Sequence, residues 1–315
     1  MKKGMLVFVV LLVVVMVGVA KSVHGDELIF PEAAALAFGA WAMERRPWRS
    51  TKFALWMFPT LAAFTGVLML RLLPDSPLLA VALTFIAVAL QLKLSGSAVL
   101  PAISAGVLPI VTHTQSWCYP IAVCLLTAAI SFGCHVLDCR GLGNCHVDIL
   151  PAADRKPRTG PELAKECLHW AKLLLGVSAV AALALRTGWS FVMAPPLIVA
   201  FVELAAPDSA LRRIQARLFV LLGLAAFLGA YSEHFLVQVF EWPAWTASGL
   251  SLLCVFLLSQ AMRISCPPAV AIAVLPSIIP KANLMAYPWQ VLLGSALFMS
   301  LRWFLIKPAG MHPRD

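Results

Sequence analysis

"PAISAGVLP" runs from Pro101 to Pro109, and "PAVAIAVLP" from Pro268 to Pro276. Each string opens and closes on proline, holds mostly small apolar residues between, and ends Val-Leu-Pro. Proline lacks an N–H and cannot continue a helix, so each one frees a backbone carbonyl. Proline is favourable in the first turn, where the helix N–H groups are unpaired anyway. Each string therefore predicts a short helix that begins on one proline and breaks on the next. At membrane depth such backbone is tolerated only where protein or water covers it.

The rest of the chain puts these strings in a bilayer. Of 315 residues, 61% are hydrophobic and 12% charged, whereas a soluble domain carries about 25% charged residues. Apolar runs near the ~20 residues that cross a bilayer recur from end to end. The fold class is an all-α polytopic membrane protein, with the lipid bilayer as its first partner. The net charge of +9 fits loops that set topology. No polar stretch is long enough to host a nucleic-acid-binding module.

Breakers between the runs define twelve segments, at about 5–20, 29–43, 53–73, 77–94, 99–112 and 117–136, then 169–187, 190–206, 215–233, 244–262, 268–280 and 287–306. This predicts ten to twelve transmembrane helices. The first run reads as an uncleaved helix. The alternative is a signal peptide with Gly18-Val19-Ala20 as its cleavage site. The pattern of lengths repeats, and so do local strings. "LAAFTG" from Leu61 matches "LAAFLG" from Leu224, and Tyr119-Pro120 matches Tyr287-Pro288. The basic turn around Arg46, Arg49 and Lys52 matches that around Arg212, Arg213 and Arg217. The expected organisation is an internal duplication: a first membrane repeat at 1–136, a polar linker at 137–167 and a second repeat at 168–315.

If all segments cross and the N-terminus is cytoplasmic, loops 44–52 and 207–217 and the tail with Arg302, Lys307 and Arg314 all lie inside, as the positive-inside rule requires. The expectation is a protein of the cell inner or plasma membrane with both termini cytoplasmic. Six crossings per repeat make the repeats parallel. If 99–112 and 268–280 re-enter instead, each half crosses five times and the repeats are inverted.

The candidate solute site follows from the proline strings. A half-helix starting at Pro101 or Pro268 points its positive end at whatever precedes it, which attracts anions. Ser104 and the other small residues let backbones approach closely. Lys93 and Arg263 stand just before the strings and would reinforce an anion site if they line a cavity. Otherwise they snorkel to the interface. Glu203, within "PPLIVAFVELAA", is an intramembrane carboxylate and a candidate for proton coupling, or else a helix-end carboxylate facing water. Glu32, early in the matching segment, is a lesser candidate. Cys266, Pro267 and Pro268 complete the set.

A second constellation is "CHVLDCRGLGNCH" from Cys134. Cys134, His135, Cys139, Cys145 and His146 supply enough thiol and imidazole for a tetrahedral zinc site, with Cys167 and His169 nearby. The spacing is not the C-x2-C pattern. A Cys139–Cys145 disulfide or unligated thiols are the alternatives. No cofactor is specified.

The order of "APPLIVAFVELAAPDSALRRIQARLFVLLGLAAFLGAY", "SQAMRISCPPAVAIAVLP" and "YPWQVLLGSALF" resembles the membrane unit of the HPP family, named for a His-Pro-Pro motif. The likeness covers about 190–306 and, more loosely, 29–136. Cys266 stands where the family has its histidine, and Val99-Leu100 precede the single Pro101, so a role for that imidazole does not carry over. The resemblance implies a multi-pass membrane protein. Some plastid and cyanobacterial relatives are associated with nitrite transport, which implies a small anion as solute.

The expected function is transport or facilitated passage of a small, nitrite-like anion, not enzymatic catalysis. No G-x4-G-K-[ST] loop supplies ATP-driven energy. One alternative is a membrane-embedded metal- or thiol-dependent enzyme using Cys266 or the Cys/His cluster, although G-x-S-x-G and H-E-x-x-H are both missing. Another is a membrane subunit without transport of its own. Homo-oligomerisation is left open.

Overall fold

A computed structural model describes residues 3–44, 47–48, 50–141, 160–206 and 209–306. Among the described residues there is no strand. The α-helices are α1 (Lys3–Ser22), α2 (Glu32–Ala37), α3 (Lys52–Leu72), α4 (Pro77–Ser95), α5 (Pro101–Val111), α6 (Cys118–Cys139), α7 (Gly160–Thr187), α8 (Pro195–Ala205), α9 (Gln215–Ser232), α10 (Ala244–Met262), α11 (Pro267–Val274) and α12 (Tyr287–Leu305). A π-helical turn, Phe38–Ala42, prolongs α2, and another, Glu233–Val239, prolongs α9. A 3-10 turn, Leu275–Ile278, follows α11.

Local sequence explains the ends. Thr51 caps α3 by accepting from the Ala54 N–H at 2.9 Å, one of the orphan donors of a first turn. Proline opens α4, α5, α8 and α11. Gly96 ends α4 at φ 66°, in the left-handed region that suits glycine.

Among the described residues seven helices are long and apolar enough to cross a membrane: α1, α3, α4, α6, α7, α9 with its flanking turns, and α10. The chain is an integral membrane protein by this measure. α12 has 19 residues but is less apolar and carries Gln290, Ser295 and Arg302, all buried. The long helices turn large apolar side chains outward, among them Phe8, Leu90, Leu125, Phe132, Leu175 and Leu257. Water would punish such a surface, whereas lipid tails solvate it. α5 and α11 are buried at every residue, and α8 at every residue but Glu203. With α2, they form an inner bundle that the long helices surround.

Polar contacts fix which helix ends share a face. Lys52 pairs with Asp138 at 2.6 Å and Lys93 with Glu166 at 3.8 Å. Arg217 donates to the Met262 carbonyl, and Arg212 to those of Leu204 and Ala205. These ends form a basic face. On the opposite face Arg71 donates to the Gln115 carbonyl at 2.6 and 2.8 Å. Lys21, Glu233 and Lys281 gather there around a vestibule of about 590 Å³. α4 ends at Lys93 on the basic face, yet the chain reaches Gln115 on the other face after α5. The segment 97–117 therefore traverses, with irregular backbone on both sides of α5 making up the length. The turn after α11 reaches the vestibule in the same way. α1 and α7 both leave the basic face.

The two halves are interlocked. α1 packs on α10, where Trp245 lies beside Gly18 and Val14 beside Gly249. α7 packs on α4, where Trp170 and Phe85 meet at 6.0 Å between ring centres.

Candidate functional site

The inner bundle is built from carbonyls that proline leaves free. In α5 the Ala105 carbonyl would accept from residue 109, which is proline. The buried Tyr119 hydroxyl of α6 donates to it instead, at 2.8 Å. In the second half the Ile272 carbonyl faces the same deficit at Pro276, and the buried Tyr287 hydroxyl of α12 fills it at 2.7 Å. Phe30 sits edge-on to Tyr119 and Phe191 edge-on to Tyr287. Two glycines seat these helices. A Cβ on Gly66 of α3 would fall 1.9 Å from the Gly106 carbonyl oxygen, and one on Gly229 of α9 would fall 2.5 Å from that of Ala273. The glycine closing "LAAFTG" and "LAAFLG" thus lets backbone meet backbone, which no side chain permits.

So held, the short helices start around one small void lined by buried residues. It is lined by Glu32 and Ala35 of α2, Pro101 of α5, Pro196 and Val199 of α8, and Pro267, Pro268 and Ala271 of α11. It leaves the centre of a water molecule about 10 Å³, roughly the room of one water. α5, α8 and α11 all present their N-termini here, and each such end carries up to about half a positive charge.

Glu32 lies inside this field. It is 1% exposed. Its Oε1 accepts from the Ser104 hydroxyl of α5 at 2.5 Å, and its Oε2 has no hydrogen-bond partner. Among the described residues no lysine, arginine or histidine forms an ion pair with it. A buried carboxylate without a cation is expensive. Here the helix N-termini are the compensating positive charge.

The candidates read from sequence divide in two. Pro101, Ser104, Pro267 and Pro268 come together at the junction, and the buried Cys266 immediately precedes it as the N-cap of α11. Lys93, Arg263 and Glu203 do not line the void. Lys93 is engaged with Glu166 on the basic face, and Arg263 is exposed beyond the end of α10, as snorkelling cations are. Glu203 is partly buried, and its Oε1 accepts from the Trp48 indole N–H at 3.0 Å. Glu32, the lesser candidate, is the carboxylate at the centre. Pro196 was overlooked. Its signal in the sequence is the Pro-Pro pair that opens α8, as Pro267-Pro268 opens α11.

Of the cysteine cluster, Cys134 is buried, and Cys139 Sγ lies 3.8 Å from His135 Nε2 on the outside of α6. Cys145 and His146 lie outside the described residues. Among the described residues no three His, Cys, Asp or Glu side chains are grouped to hold a metal.

No family model, no curated protein and no solved structure matches the chain.

Proposed function

We propose that this protein transports, or facilitates passage of, a small anion of the nitrite class through the junction of its short helices. One observation carries the reading. The N-termini of three proline-led half-helices and a buried, half-unpartnered carboxylate meet at a single small void among buried residues of an apolar molecule. Broken helices that aim their ends at a buried polar site are how membrane transporters hold solutes.

Matching contacts in the two halves support an internal duplication with parallel repeats. They are the Tyr119 and Tyr287 bonds, the Gly66 and Gly229 approaches, and the Pro101 and Pro268 starts. The resemblance to the HPP family points to the same place, since its Pro-Pro element corresponds to Pro267-Pro268 at the void. The basic face is assigned to the cytoplasm by the positive-inside rule, with both termini on it. The void leaves room for about one water, so passage of an anion requires the short helices to part. Purified protein in liposomes should admit at least one of nitrite, nitrate, formate and chloride faster than protein-free vesicles do. Equal rates for all four would refute the reading.

A further inference from the structure

We infer that Glu32 couples each anion to a proton, which makes passage an electroneutral proton–anion symport; this rests on the transport reading above. The junction has positive helix ends and room for little more than a water. In the resting state the Glu32 carboxylate is the anion that those ends hold. A second anion cannot join it, because two like charges would share one small buried site. The solute must wait until Glu32 is neutral.

The geometry says where the proton goes. Oε1 is held by Ser104, whereas Oε2 is free on a residue that lines the void. A proton from the aqueous side binds Oε2 and forms one O–H bond. The helix ends are then free to hold one entering anion. When the other side opens, the anion leaves, the proton follows to the same side, and the carboxylate returns to the helix ends. One positive and one negative charge cross together, and nothing is oxidised or reduced.

The surroundings disfavour a metal cation in the same role. The carbonyls that proline frees at Ala105 and Ile272 are occupied by tyrosine hydroxyls. No other carboxylate lines the void. The polar and titratable groups on the elements packed around Glu32 are Ser104 on α5, which donates to it, Cys266 at the N-cap of α11, and Tyr119 on α6 and Tyr287 on α12, whose hydroxyls are committed to the Ala105 and Ile272 carbonyls. Glu203 on α8 is turned to Trp48. α1 offers Met16, whose Sδ accepts from the Phe30 N–H. None of these brings a cation to Glu32.

The test uses liposomes loaded with a pH dye, and nitrate and chloride as probes. Nitrous and formic acids cross lipid as neutral molecules and would mimic coupling. With wild-type protein, an inward anion gradient should acidify the lumen by one proton per anion, at a rate unchanged when potassium and valinomycin set the membrane potential. Glu32→Gln keeps an acceptor for Ser104 but cannot carry the proton. Its proton-to-anion ratio should fall at least about tenfold, and any residual anion entry should follow the potential. Wild-type anion entry without acidification, or driven by potential, overturns the coupling and leaves the transport reading standing. No entry of nitrate or chloride in wild type overturns the coupling, and the transport reading falls with it only if nitrite and formate also enter no faster than into protein-free vesicles. Coupling that survives in Glu32→Gln removes Glu32 from the role. The wild-type ratio decides the matter even if the variant fails to fold.

Discussion

Tyr119→Phe removes one hydroxyl and leaves the ring in place. The Ala105 carbonyl then has no donor at all, because Pro109 stands where the helical N–H would be. A buried acceptor left unpaired costs about 1–3 kcal/mol. In membranes the measured worth of such bonds is lower, up to about 1.7 kcal/mol, because the unfolded chain finds other partners. Ala105 lacks its helical partner even in the isolated helix, so the loss should sit near the top of that range, at about 1.5 kcal/mol. The assay is SDS-driven unfolding in mixed micelles, run as a double-mutant cycle with Pro109→Ala. Alanine at 109 restores an N–H to Ala105, so Tyr119→Phe should lose most of its effect in that background. The coupling should be about 1 kcal/mol, well outside the ~0.5 kcal/mol scatter of independent sites. Coupling within that scatter would refute the idea that the tyrosine substitutes for the missing amide. Tyr287→Phe with Pro276→Ala repeats the experiment in the other half and should behave alike.

Gly66→Ala should destabilise by about 1–3 kcal/mol or more, because its methyl would meet backbone that cannot rotate away. Gly229→Ala should do so less, and the same unfolding assay ranks them; an equal or reversed order would count against the packing argument. Trp48→Phe should remove about 1–3 kcal/mol by orphaning Glu203 Oε1, and an unchanged unfolding midpoint would show that water takes over the bond. Cysteines at Val14 and Gly249 should form a disulfide within one chain on mild oxidation, since the Val14 methyl lies 3.2 Å from the Gly249 Cβ position. Only intermolecular products would contradict the α1–α10 contact.

Apolarity in a sequence reports depth in the bilayer, and only indirectly where a helix stops. The segment read as 169–187 proves to be Gly160–Thr187, because Glu162, Lys165 and Glu166 are good helix formers on the water side. The opposite happened at 29–43. Residues 26–30 descend beside α1, with the Phe30 N–H on Met16 Sδ at 3.4 Å, and the helix begins only at Glu32. That descent is why Glu32, at the edge of its apolar run, sits at the centre of the molecule. Glu203 looked deeper because its run is unbroken, but its helix started at depth and had nearly reached the basic face by then. Its partner Trp48 lies 155 residues away, a distance no local pattern reveals. The two Tyr-Pro pairs were legible in the sequence as matching strings. Their acceptors were not, since a freed carbonyl has no signature beyond the proline that frees it.

The packing of α1 on α10 and of α7 on α4 has a consequence for synthesis. α1 meets α2 and its adjoining turns as soon as they are made, but its other partner, α10, comes much later, so the face that will meet α10 must wait in lipid while the intervening elements insert. In water such a wait would expose an apolar surface to aggregation, but in a bilayer the lipid tails serve as a stand-in neighbour. α4 waits only for α7. The order of translation therefore lets the α4–α7 seam form before the α1–α10 seam, although α1 comes first in the chain.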